Sequence, residues 1–464
     1  MDSCVRSPVP AAFDTTAEGH LEIDGCDAVD LVAEHGAPLW VISEATIRAN
    51  YQRLRDAFCR VYPATTVLYA TKANPEPAII RVALSEGAMV DAVTLGHMRL
   101  IERAGGRPEQ IVFNGNSKTE AELRFALDGR IGVINVDSLA EMQLIAELAP
   151  PAARDRRQPV CLRVAFDNTR ATGDDAELAG YEHLGKFGMD AADLLVAAEI
   201  ARRHPGIELA GLHNHLGYPG YGQTYSPELD LERHVAYLTQ TLEMARTLRE
   251  HGDLLRILNV GGGYRVGNPS GFGPGRPTEF PTADEYAQAI AGCARDLCAE
   301  WDLGSPELIL EAGGYLVSDA VVLIGRLGGS KMRRTGAEER GWTFLEDTSS
   351  YHFVRRTMYG FHHQVVAANR MNDPPDGPIS IAGPVCTDDD VAIDAMLPRL
   401  RRGDLLAVLD NGSYCEAITT DYCAVPIPAA VMVSDGRSAV TRKRETVEDL
   451  VARFDIPTWL EGPA

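Results

Sequence analysis

The chain lacks any hydrophobic run that approaches the roughly 20 consecutive apolar residues needed to cross a bilayer. Its first twenty residues contain Asp14 and Glu18, and they lack the basic start and apolar stretch of a secretory signal peptide. Its nine cysteines include no CxxC pair, which disfavours a disulfide framework and a metal or redox motif. We therefore expect a soluble protein of the reducing cytoplasm, with no membrane partner and no bound metal.

Excess basic charge is also absent, because 66 acidic residues against 44 lysines and arginines give a formal net charge of −22. Nucleic-acid affinity comes largely from basic side chains that neutralise phosphates, so no nucleic-acid partner is expected. The 45% apolar and 24% charged content is ordinary for a globular protein. At 464 residues the chain exceeds the roughly 250 to 300 residues at which single cores stop growing, which predicts two domains.

Short β-type runs alternate with amphipathic helical segments through the first two thirds of the chain, a pattern typical of a parallel sheet built from βα units. The predicted strands are 67–71, 88–92, 110–113, 132–135, 160–165, 208–212, 255–260 and 307–311. The predicted helices include 77–85, 119–127, 138–148, 191–203, 229–250 and 283–301, and another begins near Ser43. Eight alternations in roughly 250 residues predict a closed (β/α)8 barrel.

Beyond Glu311 the helical period fades and β-rich runs dominate, which predicts a second, mainly β domain of the sandwich or barrel type. Its predicted strands are 316–323, 379–382, 405–409 and 430–433, with 39–42 added from the N-terminal region. We therefore expect a barrel domain at 45–315 and a β domain formed by 1–44 together with 316–464. Long loops near 166–186 and 267–281 follow barrel strands, on the face where barrel enzymes carry their chemistry.

Several reactive side chains follow the predicted barrel strands. Lys72 comes directly after the first strand, and a lysine desolvated by apolar neighbours is suited to Schiff-base chemistry, although a surface or ion-paired lysine is the commoner case. His213 and His215 end the sixth strand and suit either a metal or ordinary core hydrogen bonds. Glu311 ends the eighth strand and suits a general base or a partner for a protonated ring nitrogen. These strand ends share one face of a barrel.

Gly261, Gly262 and Gly263 end the seventh strand, where they let backbone N–H groups approach a phosphate or simply form a tight turn. A dinucleotide-binding fingerprint is excluded here, because Val266 stands where its third glycine is required.

Ordered motifs along nearly the whole chain resemble the fold type III pyridoxal-phosphate-dependent decarboxylases, the group that contains diaminopimelate and ornithine decarboxylases. The matching motifs, in chain order, are YATKAN (69–74), FNGNSK (113–118), INVDS (134–138), KFG (186–188), GLHNHLG (211–217), NVGGGY (259–264), EAGG (311–314), GPVC (383–386), DNGSY (410–414) and RKRETVEDL (442–450).

The resemblance implies a function for each candidate residue and pyridoxal 5'-phosphate as the cofactor. Lys72 would bind the cofactor covalently, His215 would stack on its ring and Glu311 would pair with the ring nitrogen, which makes the ring a strong electron sink. The phosphate would be held by Gly261, Gly262 and Gly263, with Gly313 and Tyr414. Cys386 matches the cysteine that enters the active site from the other subunit and steers reprotonation of the product, which implies a homodimer with shared active sites.

Departures from the family pattern concern the contacts to phosphate and substrate. Tyr218 stands where the family has serine, and Gly314 stands where it has arginine. The arginine and tyrosine that bind a distal carboxylate in diaminopimelate decarboxylases are matched by Arg355 and Tyr359. The residue after the active-site cysteine, which is acidic in the named relatives and reads a distal ammonium group, is Thr387 here.

The residue that usually binds the distal ammonium group has therefore changed: Thr387 occupies its position, and Asp388 follows. We therefore expect an amino-acid decarboxylase that acts on a non-standard, carboxylate-bearing amino acid, for example in siderophore or other secondary metabolism. The alternatives are an amino-acid racemase of the same barrel class and a non-catalytic regulatory homologue that binds the cofactor. Glu311 disfavours the racemase, which generally pairs arginine with the ring nitrogen, and retention of Lys72 and Cys386 disfavours the non-catalytic alternative.

Overall fold

The computed structural model describes residues 12–150, 157–166, 185–216, 226–266, 279–336, 338–355, 358, 360–387 and 390–460. Tyr218, Tyr359 and Asp388 lie outside the described residues, as does most of both predicted loops. The chain forms two compact units. The described residues within 47–267 and 279–317 form a barrel unit, and those within 1–46 and 318–464 form a β unit.

Eight parallel strands close into a barrel, as the sequence predicts. In chain order they are β5 (Thr65–Ala70), β6 (Met89–Ala92), β7 (Ile111–Phe113), β8 (Val133–Val136), β9 (Gln158–Arg163), β10 (Ile207–His213), β11 (Ile257–Asn259) and β12 (Glu307–Ala312). Neighbours in sequence are neighbours in the sheet, and β12 closes the circle on β5 with Glu311 opposite Leu68. All eight C-terminal strand ends therefore point to one rim of the barrel.

Helices connect the barrel strands, and several of them begin at side-chain caps that the sequence supplies. They are α2 (Glu44–Val61), α3 (Pro77–Ser85), α4 (Leu95–Arg103), α5 (Glu120–Gly129), α6 (Leu139–Leu148), α7 (Ala191–Arg203), α8 (Pro227–Glu250), α9 (Ala283–Tyr286), α10 (Gly292–Glu300) and α11 (Gly314–Val317). Thr119 and Glu122 form a capping box before α5, and Asp190 caps α7. A π-helical turn, Ala287–Ala291, joins α9 to α10 within the predicted helix 283–301.

The interior of the barrel contains a layer of buried apolar side chains. Its buried members are Leu68, Val112, Val133, Cys161, Ala210, Ile257 and Ile309, which come from seven different strands. This layer packs the barrel as a core and leaves the strand ends above it free for polar side chains.

The β unit contains a three-stranded antiparallel sheet and a nine-stranded sheet. The first is formed by β1 (Phe13–Thr15), β2 (Leu21–Ile23) and β3 (Cys26–Asp27), which precede α1 (Ala28–His35). The second contains β4 (Leu39–Ser43), β13 (Val321–Thr335), β14 (Glu338–Leu345), β15 (Val365–Ala367), β16 (Gly377–Ala382), β17 (Asp390–Leu397), β18 (Leu405–Val408), β19 (Ala429–Ser434) and β20 (Arg437–Arg442). The helix α12 (Val447–Val451) follows. β4 pairs with β13 and β19, so this strand from the N-terminal region belongs to the nine-stranded sheet.

One predicted strand, 316–323, is wrong over its first half. Residues up to Val317 form α11, a 3-10 turn spans Ser318–Ala320, and β13 begins only at Val321. Leu316, Val317 and Ala320 are all fully buried, so no exposed face gives the segment a readable period. A short, fully buried apolar run does not distinguish helix from strand. Among the described residues, no helix is long and apolar enough to cross a membrane.

Candidate active site

Lys72 follows β5 at the C-terminal rim of the barrel, where its amine meets an imidazole and a carboxylate. Its Nζ donates to His215 Nε2 at 3.3 Å and lies 3.9 Å from Asp91 Oδ2. Burial, with the charge of Lys72 second, holds the pKa of His215 well below its usual range. His215 is therefore a neutral imidazole that can accept from the lysine.

Asp91 is the penultimate residue of β6, and its carboxyl group accepts hydrogen bonds from three donors. Its Oδ1 accepts from the backbone N–H of Thr71 at 3.0 Å and from the Thr71 hydroxyl at 3.1 Å. Its Oδ2 accepts from Asn114 Nδ2 at 3.2 Å. The side chain of Asp91 is fully buried, so these donors orient its carboxyl group beside Lys72.

Glu311 occupies the centre of the same rim and is 2% exposed. Its Oε1 accepts from Asn114 Nδ2 and from Asn259 Nδ2, both at 2.9 Å. Its Oε2 has no hydrogen-bond partner among the described residues, although the atom is buried. Burial raises the pKa of this carboxyl group. A buried acceptor without a donor is costly by itself, and a cationic N–H placed at Oε2 would remove that cost.

His213 lies 3.4 Å from Glu311, measured from Nε2 to Oε1, but makes no hydrogen bond through either ring nitrogen among the described residues. Burial lowers the pKa of His213 well below its usual range, so the two groups do not form an ion pair. No group of three or more potential metal ligands is found in the described part of the chain.

Three asparagines that our sequence analysis missed surround Glu311. Asn114 follows β7, Asn135 lies in β8 and Asn259 ends β11. Asn135 Nδ2 donates to Asn114 Oδ1 at 2.7 Å, which orients the amide that reaches Glu311. Each of the three follows two apolar residues at the end of a barrel strand, in VFN, VIN and ILN. That repeated pattern is the signal that could have found them.

The three glycines after β11 are required by close backbone approaches. Gly261 and Gly263 have φ angles of +64° and +115°, a region that side chains disfavour. A Cβ on Gly262 would lie 2.5 Å from the carbonyl oxygen of Glu311 and 3.2 Å from His215 Nε2. The turn therefore places bare backbone directly against the His215 and Glu311 side of the rim.

Gly313 brings the segment after β12 against the segment that carries Lys72. A Cβ there would lie 3.0 Å from Ala73 Cβ and 3.2 Å from Ala70 Cβ. The barrel unit thus gathers the predicted residues Lys72, His215, Gly261, Gly262, Gly263, Glu311 and Gly313 from four strand ends.

The remaining described candidates belong to the β unit. Tyr414 has a φ of +53°, and Arg355 is buried with its guanidinium carbon 3.8 Å from the centroid of the Phe361 ring. Cys386 and Thr387 are exposed.

Comparison with known proteins connects this geometry to a family. A model described as "Pyridoxal-dependent decarboxylase, pyridoxal binding domain" matches residues 44–318, and one described as "Pyridoxal-dependent decarboxylase, C-terminal sheet domain" matches residues 235–412. The chain belongs to the pyridoxal-dependent decarboxylases. The fold, the cofactor and the reaction class predicted from the sequence are therefore confirmed: this is an amino-acid carboxy-lyase that uses pyridoxal phosphate.

Individual relatives match over nearly the full length. The chain is 34% identical to a diaminopimelate decarboxylase of Methanothermobacter thermautotrophicus, covering 96% of this chain and 97% of the relative. It is 32% identical to a diaminopimelate decarboxylase of Bacillus subtilis, with coverages of 95% and 96%. A crystal structure of diaminopimelate decarboxylase from M. jannaschii in complex with L-lysine superposes with a TM-score of 0.83 at 28% identity, covering 97% and 99% of the two chains.

The residues at the rim of the barrel have the chemistry that pyridoxal phosphate requires. Lys72 has an amine that can react with an aldehyde, and the buried Oε2 of Glu311 is a carboxylate oxygen that can pair with a protonated ring nitrogen. The turn at 261–263 offers backbone without side chains to a phosphate.

Proposed function

We propose that this enzyme decarboxylates an α-amino acid that carries a second, distal carboxylate, and that its preferred substrate is not diaminopimelate. The observation that carries the proposal is Thr387, an exposed uncharged residue directly after Cys386. At that position the resemblance to diaminopimelate and ornithine decarboxylases calls for an acidic residue that reads a distal ammonium group. Arg355 and Tyr359, in contrast, keep the residue types that would bind a distal carboxylate. Diaminopimelate itself is the second candidate, since the relatives reported above carry that name.

Bound pyridoxal phosphate supplies an electron sink for the pair left at the α-carbon when carbon dioxide departs. Lys72 would hold the cofactor covalently, with its amine positioned by His215 and Asp91. His215 would stack on the ring as a neutral imidazole. Glu311 would keep the ring nitrogen protonated through Oε2, because its Oε1 is already committed to Asn114 and Asn259.

The phosphate would lie against the 261–263 turn, beside Gly313, and would be held by the hydroxyl of Tyr414 and by backbone N–H groups of the turn other than that of Gly261, which donates to Asn259 Oδ1 at 2.9 Å. Backbone donors in a tight glycine turn bind anions without the help of a charged side chain. Such a turn is consistent with the replacement of the family serine and arginine by Tyr218 and Gly314.

Cys386 would return a proton to the product carbon from the neighbouring subunit of a homodimer. Its exposure on the β unit supports this, because an exposed thiol is available to a second chain. The test mixes two inactive variants, Lys72→Ala and Cys386→Ala. If each active site combines both residues from different chains, random reassortment should restore about a quarter of wild-type activity. Absence of any recovery from a verified mixed dimer would contradict shared sites.

The substrate is tested by carbon dioxide release from meso-diaminopimelate and from analogues that keep the distal carboxylate but lack or mask the distal amine, such as 2-aminopimelate. We expect the highest kcat/KM with an analogue, and efficient turnover of meso-diaminopimelate would refute the preference. A Thr387→Glu variant should raise kcat/KM for meso-diaminopimelate by about 10-fold or more, since a charged hydrogen bond is worth roughly 1.5–3 kcal/mol. Thr335→Glu, at an exposed position of β13, is the matched control.

The compartment proposed for the enzyme is the cytoplasm. All eight described cysteines are free thiols, which suits a reducing environment. Fractionation of the native host, with the enzyme detected by immunoblot, tests this assignment.

A further inference from the structure

Two cysteines of the β unit lie side by side at its surface. Cys386 and Cys423 are separated by 37 residues in sequence, yet their Sγ atoms are 3.9 Å apart. They are the only exposed members of the eight described cysteines. Unpaired cysteines usually behave as buried small hydrophobes, so two adjacent exposed thiols are not explained by packing.

The backbone that carries Cys423 is held in place by its neighbours. Tyr422 stacks on Tyr351 with ring centroids 4.7 Å apart and an interplanar angle of 28°. Cys423 itself sits in a 3-10 turn with a φ of +59°. Its sulfur is therefore presented to Cys386 by an ordered turn.

We propose that Cys386 and Cys423 form a reversible intramolecular disulfide, and that oxidation of this pair switches the enzyme off. The sulfur atoms must approach from 3.9 Å to a bond length of about 2.05 Å, a displacement that rotation of two exposed side chains can supply. Loss of activity rests on the proposed function of Cys386 as proton donor, because a disulfide has no S–H to give. Formation of the disulfide does not rest on it.

The reaction requires a two-electron oxidant, and diamide, an azodicarboxamide, serves as the probe. One cysteine thiolate adds to the N=N bond, and the second thiolate then attacks the bound sulfur and expels the hydrazine. One S–S bond forms, the two thiol protons end on nitrogen, and the azo bond is reduced by two electrons. A dithiol such as dithiothreitol reverses the change by thiol–disulfide exchange.

The hydrogen bond to Cys423 raises the pKa of the Cys386 thiol, with the charge of Cys423 a further cause. Because the thiolate is the reactive species, oxidation should become faster as the pH rises.

The experiment uses the reduced holoenzyme. After diamide treatment and removal of the oxidant, peptide mass mapping without reductant should show one crosslink between Cys386 and Cys423 within a single chain. Carbon dioxide release should fall at least about tenfold and return with dithiothreitol. Cys423→Ser should keep the activity of the reduced wild type and resist diamide, and Cys59→Ser, at a half-buried cysteine, should respond like the wild type.

Two results would overturn the inference. The first is that treatment produces no Cys386–Cys423 crosslink within a chain, whether the thiols stay free or a crosslink between chains forms in its place. The second is a complete crosslink that leaves kcat unchanged. Failure of the proposed function is distinguishable from both results. A reduced enzyme that decarboxylates no amino acid would disprove that function, and peptide mass mapping of the same protein would still show whether the crosslink forms.

Discussion

Replacement of Glu311 by glutamine tests the centre of the proposed site with the smallest change in shape. The amide oxygen of Gln can take the place of Oε1 and continue to accept from Asn114 and Asn259. The change is then confined to Oε2, where the amide –NH2 would replace an oxygen that has no hydrogen-bond partner among the described residues. An amide cannot hold a proton on the ring nitrogen, so the cofactor loses much of its capacity to accept electrons.

The size of the effect follows from the burial of this group. A hydrogen bond to a charged group contributes roughly 1.5–3 kcal/mol, and Glu311 is too buried for solvent to weaken the interaction. Each 1.4 kcal/mol, approximately, corresponds to a factor of ten in rate. We therefore expect Glu311→Gln to lower kcat by about 10- to 100-fold, with cofactor still bound through Lys72.

The assay is carbon dioxide release, with the visible absorbance of the lysine-bound cofactor recorded for each variant. Lys72→Ala supplies the baseline without that band. The matched control is Glu307→Gln, four residues earlier on β12, where the carboxylate accepts from Thr66 Oγ1 at 2.5 Å. If Glu311→Gln retained the kcat of Glu307→Gln while both bound cofactor, the function assigned to Oε2 would be wrong.

Three further predictions concern the glycine turn, a buried ion pair and the acid response. Gly262→Ala should weaken cofactor binding at least about tenfold, because its Cβ would lie 2.5 Å from a backbone carbonyl oxygen. The control Gly129→Ala, whose Cβ would have no atom within 4 Å, should leave cofactor binding unchanged. Equal cofactor affinities of the two variants in an absorbance titration would contradict this prediction. Lys118→Met leaves the buried carboxylate of Glu141 without the amine that lies 2.6 Å away, and it should lower the free energy of unfolding in urea by about 3–5 kcal/mol. The double variant that also carries Glu141→Leu should recover this stability. An unchanged urea midpoint for Lys118→Met would contradict the prediction. Burial lowers the pKa of His234 from 6.5 to about 4, so the unfolded chain binds more protons in that window and stability should fall as pH drops from 6.5 towards 4. His234→Phe should flatten that slope in melting experiments, and identical slopes would count against the explanation.

The barrel could be predicted because its short apolar strands are separated by segments whose apolar residues recur with the period of a helix. The helices α3 and α7 begin and end where their sequence patterns do. The start of β13 could not be placed as well, because the residues around Leu316 are buried on all sides and the pattern has no polar face to set its period. The helix α4, which has Thr94 as its N-cap, was not among the predicted helices.

Position at strand ends, together with the family resemblance, predicted which residues lie at the rim of the barrel. Lys72, His215 and Glu311 are far apart in sequence, and they meet because β10, β11 and β12 are neighbours in the barrel and β12 closes on β5. Their distances to one another could not be predicted, because these depend on strand tilt and on the glycine turn at 261–263. The pairing of Cys386 with Cys423 was equally invisible, since it depends on how two loops of the β unit approach each other.

The asparagines around Glu311 show what a second reading of the same sequence can add. Asparagine disfavours strands, so its recurrence after two apolar residues at three strand ends has no explanation in strand propensity. In a barrel, polar side chains at three such ends must converge above the apolar layer. There Asn114 and Asn259 both donate to one oxygen of Glu311, which leaves the other oxygen facing the site without a donor. The amides thus do more than satisfy a buried carboxylate: in the proposed site they would decide which of its two oxygens remains available to the cofactor.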